Sequence, residues 1–243
     1  MEIFFLGTNG WYETSMGSTT CSLVKTVNEN IVLDAGSGFY RVEKLLDYSK
    51  PVYIFLSHLH IDHIEGLQIL RKFDIASGIK ILLGPDMKKE LESFLRPPFA
   101  PPLSSLKTKI EIFEPPYDLP FNVETLPLAH AVPATAFRFS LEGKIVVYAL
   151  DTGVSENLVK IAKNADLLIT GAGFFPGHKP DNNLLMPEEG ARAALDSGAK
   201  KLALIHFKAD EYLTFQDRNE ALISAQKIFK NVIAPKDGNS IVL

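Results

Sequence analysis

The segment His58-Leu59-His60-Ile61-Asp62-His63 carries three imidazoles and a carboxylate directly after the apolar run Pro51 to Leu56. Imidazole nitrogens and carboxylate oxygens are ordinary ligands of zinc and similar divalent ions. Strand side chains alternate between faces, so a continuing strand points His58 and His60 one way and Leu59 the other. If the chain then turns into a helix, Asp62 and His63 fall on its first turn and aim at a second point nearby. The spacing therefore predicts two metal positions. A lone histidine beside an apolar strand is more often a hydrogen-bonded core or surface residue than a ligand. Four such groups buried together without a metal, however, carry a large desolvation cost. The i, i+2 histidine spacing also differs from H-E-x-x-H, whose histidines share one helix face.

Two metals need more ligands than this segment supplies, and further His and Asp residues stand at strand ends. His130 follows the apolar-patterned run 121–126, Asp151 closes 144–150, and His206 closes 201–205. Strand ends are where ligand-binding groups collect in sheet folds. Read alone, Asp151 before Thr152-Gly153 begins a turn, and His206 is a satisfied core histidine. Five of the six histidines thus occupy candidate metal positions. The sixth, His178, follows Gly177 in a polar, turn-rich stretch; it reads as a solvated loop residue, with a loop overhanging the site as the alternative.

The elements that must position these groups are legible in outline. Short strand patterns come first, at 2–6, 20–27 and 30–34, the last two joined by a turn at Asn28 to Asn30. Strand 52–57 leads into the metal segment and a helix over 61–73, followed by strand 79–83 and a helix over 85–95. The proline-rich stretch 97–102 reads as an ordered surface loop rather than a linker. Strands follow at 109–113, 121–126, 135–140 and 144–150, the last pair a hairpin turning near Gly143. The final third alternates: a helix capped by Ser155, strand 166–170, a helix from Pro187 to Gly198, strand 201–206, a helix over 216–229 and a strand at 240–243. This order fits an α/β (α+β) fold of two mixed sheets packed face to face with helices outside, in one domain spanning 1–243.

The 243 residues are 46% apolar and 22% charged, ordinary for a globular chain, and the net charge of −4 gives no general footprint for nucleic acid. The one cysteine, Cys21, has no partner for an internal disulfide and reads as a small buried strand residue. No apolar run is long enough to span a membrane, and Met1 leads straight into a strand with no basic leader, so a cytoplasmic location is expected.

Taken together, His58-Leu59-His60-Ile61-Asp62-His63, His130, Asp151 and His206, with Leu33-Asp34-Ala35-Gly36 upstream, resemble the metallo-β-lactamase superfamily from about Leu6 to His206. Within it, Leu6-Gly7-Thr8, Gly17 to Thr20 and His130 to Arg138 resemble the ribonuclease Z and cyclic phosphodiesterase branch. The resemblance implies a four-layer αββα sandwich. It implies that His58, His60 and His130 hold one metal, that Asp62, His63 and His206 hold the other, and that Asp151 bridges them. The bridging Asp and the lack of a cysteine ligand separate the chain from true β-lactamases. Two departures from ribonuclease Z stand out. A Glu and a His that assist the leaving group there correspond here to Gly171 and Leu184. The long arm that grips tRNA there has no counterpart, since only twenty residues separate His130 from Asp151.

Two divalent ions about 3.5–4 Å apart lower the pKa of a shared water and polarise a phosphoryl oxygen. His and Asp ligands suit Zn²⁺, with Mn²⁺ or Fe²⁺ as alternatives. The expected function is therefore a metal-dependent phosphodiesterase acting on a small or cyclic phosphodiester or a nucleic-acid end. A metal-bridging hydroxide would attack phosphorus or a carbonyl, with Asp62 orienting it or acting as base and His178 a candidate proton donor. The alternatives are a ribonuclease Z-like endonuclease for tRNA 3′ ends, a thioester or lactone hydrolase, and a metal-binding protein without catalysis. Di-iron redox relatives carry an added flavin domain, of which the sequence has no segment. The expected partner is a small-molecule or nucleotide phosphodiester; nucleic acid is admitted but not favoured, no membrane is expected, and a homodimer is admitted.

Overall fold

The structure is a computed structural model, which describes residues 1–179 and 181–243. The strands are β1 (Glu2–Gly7), β2 (Asn9–Gly10), β3 (Cys21–Lys25), β4 (Asn30–Leu33), β5 (Val52–Leu56), β6 (Ile79–Leu83), β7 (Ile110–Phe113), β8 (Asn122–Pro127), β9 (Thr135–Leu141), β10 (Lys144–Ala149), β11 (Leu167–Gly171), β12 (Leu202–Ile205), β13 (Phe207–Lys208), β14 (Val232–Ile233) and β15 (Ser240–Val242). The α-helices are α1 (Ile61–Ile64), α2 (Lys88–Phe94), α3 (Glu156–Ile161), α4 (Pro187–Ser197) and α5 (Phe215–Gln226).

Two large mixed sheets form, one of seven strands in the order β15-β1-β3-β4-β5-β6-β7 and one of six in the order β14-β12-β11-β10-β9-β8. In the first, β4 to β7 run parallel while β1, β3 and β15 pair antiparallel. In the second, β10, β11, β12 and β14 are parallel and β8 to β10 form an antiparallel meander.

The alternation of side chains along each strand builds the layers. Ile31, Leu33, Tyr53 and Phe55 from one sheet meet Phe137, Phe139, Tyr148 and Ile169 from the other in a common core. Phe55 packs edge-on to Phe137 and Phe139, with ring centres 5.2 and 4.9 Å away. The opposite faces bury helices: Val32, Ile54 and Ile81 cover Phe39, Leu67, Leu70 and Leu91, while Val147, Leu168 and Leu204 cover Leu158, Ala194 and Ala221 from α3, α4 and α5. The expected four-layer αββα sandwich of two mixed sheets is what the chain adopts.

Two local expectations are corrected. The helix expected over 61–73 is the single turn α1 followed by a 3-10 segment, Glu65–Lys72. Gly66 accounts for the close approach there, because a Cβ on it would lie 2.3 Å from the Gly36 carbonyl oxygen. The helix expected over 85–95 starts later, at Lys88. Among the described residues no helix is long and apolar enough to cross a membrane.

Candidate metal centre

The parallel strands of both sheets deliver their C-terminal ends to one edge of the sandwich, where β4 ends before Asp34, β5 before Ser57, β10 before Asp151 and β12 before His206. This is the edge at which open α/β sheets present ligand sites. Strand β5 stops at Leu56, so His58 and His60 lie beyond it rather than alternating along it. The loop nevertheless brings their rings together, with centres 4.5 Å apart.

The expected ligands fall into two groups. His58, His60, His130 and Asp151 offer atoms within 4.8 Å of one another, and so do Asp62, His63 and His206. In the first group His130 Nε2 lies 3.4 Å from His60 Nδ1. In the second, His63 Nε2 lies 3.0 Å from His206 Nε2, which is 3.3 Å from Asp62 Oδ2. Ligands held at about 2.0 Å in a tetrahedron stand roughly 3.3 Å apart, so this spacing matches a cation-binding set. Asp151 joins the groups. Its Oδ2 is 3.7 Å from His58 Nε2, 3.8 Å from His130 Nε2 and 3.8 Å from His63 Nε2, while its Oδ1 is 3.2 Å from His206 Nδ1.

His58, Asp62, His63, Asp151 and His206 are buried, with His60 and His130 only partly so, yet His58 Nε2, Asp151 Oδ1 and His206 Nδ1 have no hydrogen-bond partner. The short Asp151–His206 approach does not satisfy either atom, because its geometry is not that of a hydrogen bond. Orphaned polar atoms carry a desolvation cost that a cation among them removes. The donors are imidazole and carboxylate with no thiolate, which suits zinc, manganese or iron. The residues present thus fit a pair of divalent ions.

Supporting residues fix which nitrogen faces inward. His63 Nδ1 donates to Asp34 Oδ2 at 2.7 Å, leaving Nε2 toward Asp62 and His206. Asp34 also accepts from the Ser57 amide, the Ser57 hydroxyl and the Tyr148 hydroxyl at 2.7, 2.8 and 2.9 Å. His130 Nδ1 donates to the Asn183 carbonyl at 3.0 Å, leaving its Nε2 for the first group. Such partners set ring orientation and ligand basicity. Asp34 and His206 both adopt left-handed backbone, with φ of 55° and 53°. Outside glycine this conformation is uncommon, and it turns each side chain off its strand toward the cluster.

Electrostatics follow the same geometry. Burial pushes the His58 imidazole well below its ordinary value, and the neighbouring His63 and His60 push it further. Burial and His130 also lower His60. Burial opposes a charge on His63, but Asp34 and Asp62 outweigh it and hold its pKa at about 10. Burial alone would raise Asp62, yet His63 and His206 keep its carboxyl below the usual range.

The two flanks differ. Next to the second group, the Trp11 amide donates to Asp62 Oδ2 at 2.7 Å, and Gly10 faces the His206 ring so closely that a Cβ there would lie 2.5 Å from it. Lys208 Nζ sits 5.6 Å from the Trp11 ring centre and 5.5 Å from that of Phe174. His178 is exposed and stacks on Phe174, with ring centres 4.3 Å apart. Beside the first group, His60 borders a cavity of about 370 Å³ that Leu59, Asp86, Met87, Glu90, Val132 and Pro133 also line.

Asp34, Tyr148, Ser57 and Trp11 carry no expected site role from sequence. Asp34 alone leaves a signal there, a carboxylate directly after the buried run Asn30–Leu33.

The sequence profile of the beta-lactamase superfamily domain matches residues 29–207, and the chain belongs to that superfamily. It is a metallo-hydrolase of that superfamily, and ribonuclease Z proteins are among its relatives. Ribonuclease Z of Ignicoccus hospitalis is 28% identical over 87% of this chain and 88% of its own length. The probable metallo-hydrolase YhfI of Bacillus subtilis is 26% identical over 85% of this chain and 86% of its own. Among solved structures, YhfI superposes with a TM-score of 0.81 at 20% identity, covering 99% of both chains. Human tRNase Z, short form, superposes with a TM-score of 0.77 at 20% identity, covering 100% of this chain and 99% of its own.

Proposed function

We propose that this chain, acting as one domain over residues 1–243, is a dinuclear metal-dependent phosphodiesterase for a small or cyclic phosphodiester. His58, His60 and His130 hold one ion, Asp62, His63 and His206 the other, and Asp151 serves both; zinc is the proposed metal. The observation that carries this reading is the placement of Asp151, whose two oxygens face both histidine groups. When bound, two such ions would lower the pKa of water held at the site and neutralise charge developing on a phosphoryl group.

The protein side chains then have separate tasks. Asp62 Oδ2 is committed to the Trp11 amide and faces His206, so Oδ1 is the atom left to orient water or take its proton. His178 is the proposed acid for the leaving group. Its Nδ1 is engaged with the Lys179 carbonyl at 2.8 Å, which leaves Nε2 to carry the proton.

A small substrate fits this chain better than a structured RNA. The residues between His130 and Asp151 are taken up by β9 and β10, both inside the sheet, with a tight turn between them. Gly171 offers no side chain, and Leu184 packs against Gly173, its Cβ lying 2.6 Å from where a Cβ on that glycine would be. The ribonuclease Z relatives favour a second reading, cleavage at a tRNA 3′ end. A panel of bis-aryl phosphate, cyclic nucleotides, precursor tRNA, thioesters and lactones, each with and without chelator, decides between them. Chelator-sensitive turnover of small phosphodiesters is expected. Exclusive turnover of precursor tRNA, or of the acyl substrates, refutes the proposal.

A further inference from the structure

The cavity beside His60 is built differently from the rest of the rim. Its floor is apolar, from Leu59, Met87, Val132 and Pro133, and its volume of about 370 Å³ is near the lower end of the ordinary range for small-molecule pockets. That is room for one compact organic group and too little for a folded polynucleotide. His60 belongs both to this cavity and to the first ligand group, so a group in the cavity lies beside whatever reacts at the centre.

Two carboxylates, Asp86 and Glu90, stand on the cavity wall, and among the described residues neither takes part in an ion pair or an identified side-chain hydrogen bond. Lys88 and Lys89 lie on the same rim, but Lys88 pairs with Glu92 at 3.9 Å and Lys89 is in no ion pair with either carboxylate. Asp86 is held in left-handed backbone, φ 61°, immediately before the buried Met87. An apolar floor with unpaired negative charge above it favours a cationic organic group and disfavours a second phosphate.

We propose that this cavity is a specificity pocket for the non-reacting end of the substrate, and that it takes an apolar ammonium group. This deepens the phosphodiesterase reading and rests on it for the reaction, but not for binding. The substrate is then a diester with one phosphate at the metal centre and a cationic alkyl group in the pocket. Chains of phosphates are rejected by the same two carboxylates.

The test uses p-nitrophenyl phosphorylcholine, with a cationic tail, and bis(p-nitrophenyl) phosphate, with an uncharged aromatic tail, on the metal-loaded full chain. The readout is the ratio of their kcat/KM values. Glu90→Gln is expected to lower that ratio about fivefold, the size of an exposed charge pair, and Asp86→Asn with Glu90→Gln to lower it further, through KM. Choline binding, followed by calorimetry, is expected in the wild type and weakened by a similar factor in the variants. Both carboxylates are exposed and make no ion pairs, so thermal melting is expected to confirm that the variants fold. An unchanged ratio, or no choline binding to the wild type, overturns the pocket. Failure of the wild type to cleave either diester overturns the phosphodiesterase reading instead, and the choline titration still decides the pocket.

Discussion

The carboxylate of Asp34 stands 2.7 Å from Nδ1 of His63, fully buried, and selects which face of the imidazole is presented to Asp62 and His206. Removing an orienting partner of this kind costs about 10–100-fold in metal affinity. Asp34→Ala is therefore expected to weaken the second ion selectively, read by competition with a chromogenic chelator. The Tyr148 and Ser57 hydroxyls also lose their acceptor, so a lower melting temperature should accompany it. Unchanged metal affinity in a folded Asp34→Ala protein refutes the orienting role.

Among the described residues, Asp151 is the carboxylate whose oxygens approach histidines of both groups. Asp151→Ala should reduce bound metal from two equivalents to one or none and abolish chelator-sensitive hydrolysis. Elemental analysis of the purified variant checks this. Retention of two ions with full activity contradicts the bridging assignment.

The metal-free protein should be most stable near the ordinary imidazole pKa of 6.5. His63 is raised to about 10 in the fold, so its contribution is fully present below 6.5 and is lost as pH rises toward about 10. His58 and His60 are lowered, so the unfolded chain gains their protons below 6.5 while the folded one does not, and stability falls on that side as well. Metal displaces the His63 proton, so loading removes the loss above 6.5 and releases acid. Thermal melting of chelator-treated protein across this range tests the sign; a melting temperature that rises steadily with pH above 6.5 is incompatible with it.

Much of the site was legible because its residues sit at the ends of apolar runs. His130, Asp151 and His206 each follow a strand pattern, and all three reach the cluster predicted from the run at His58 to His63. The layered fold was legible from the order of strand and helix patterns, with the continuous apolar runs of β4 and β5 marking strands buried on both faces. What escaped was set by tertiary approach. Helix periodicity over 61–73 says nothing of Gly66 pressing on Gly36, which leaves only one α-helical turn. The two-residue strands β2 and β13 pair across nearly the whole chain and have no pattern of their own. Asp34 was visible as a residue, but its contact with His63 depends on a left-handed backbone that neighbouring sequence does not announce.

His178 is tested through the leaving group rather than through rate alone. A general acid contributes about 10²–10⁴-fold where the departing oxygen needs a proton and far less where it does not. His178→Ala should thus slow hydrolysis of alkyl diesters at least tenfold more than that of p-nitrophenyl diesters. Equal effects on both would leave the residue as a packing partner of Phe174 only.

Arg218 carries the last prediction, because it supports the centre without touching it. It is buried, donates through Nη1 to the Thr8 hydroxyl at 2.9 Å and through Nη2 to the Asn9 side chain, and lies over the Phe207 ring at 4.7 Å. Asp237 completes the network by accepting from the Thr8 hydroxyl and the Ser18 amide, both at 2.8 Å, with Arg41 Nη1 at 3.5 Å. These bonds hold β2 against β13, and so hold Gly10 on the His206 ring and the Trp11 amide on Asp62. Arg218→Met fills similar space but leaves the Thr8 hydroxyl and the Asn9 side-chain oxygen without their donor, a loss of about 1–3 kcal/mol for each unsatisfied acceptor. Urea unfolding should show that loss. In the protein that remains folded, the ion on the His206 side should dissociate faster than the ion held by His58, His60 and His130, because only the former depends on β2. Equal dissociation of both ions, or unchanged urea stability, refutes the coupling.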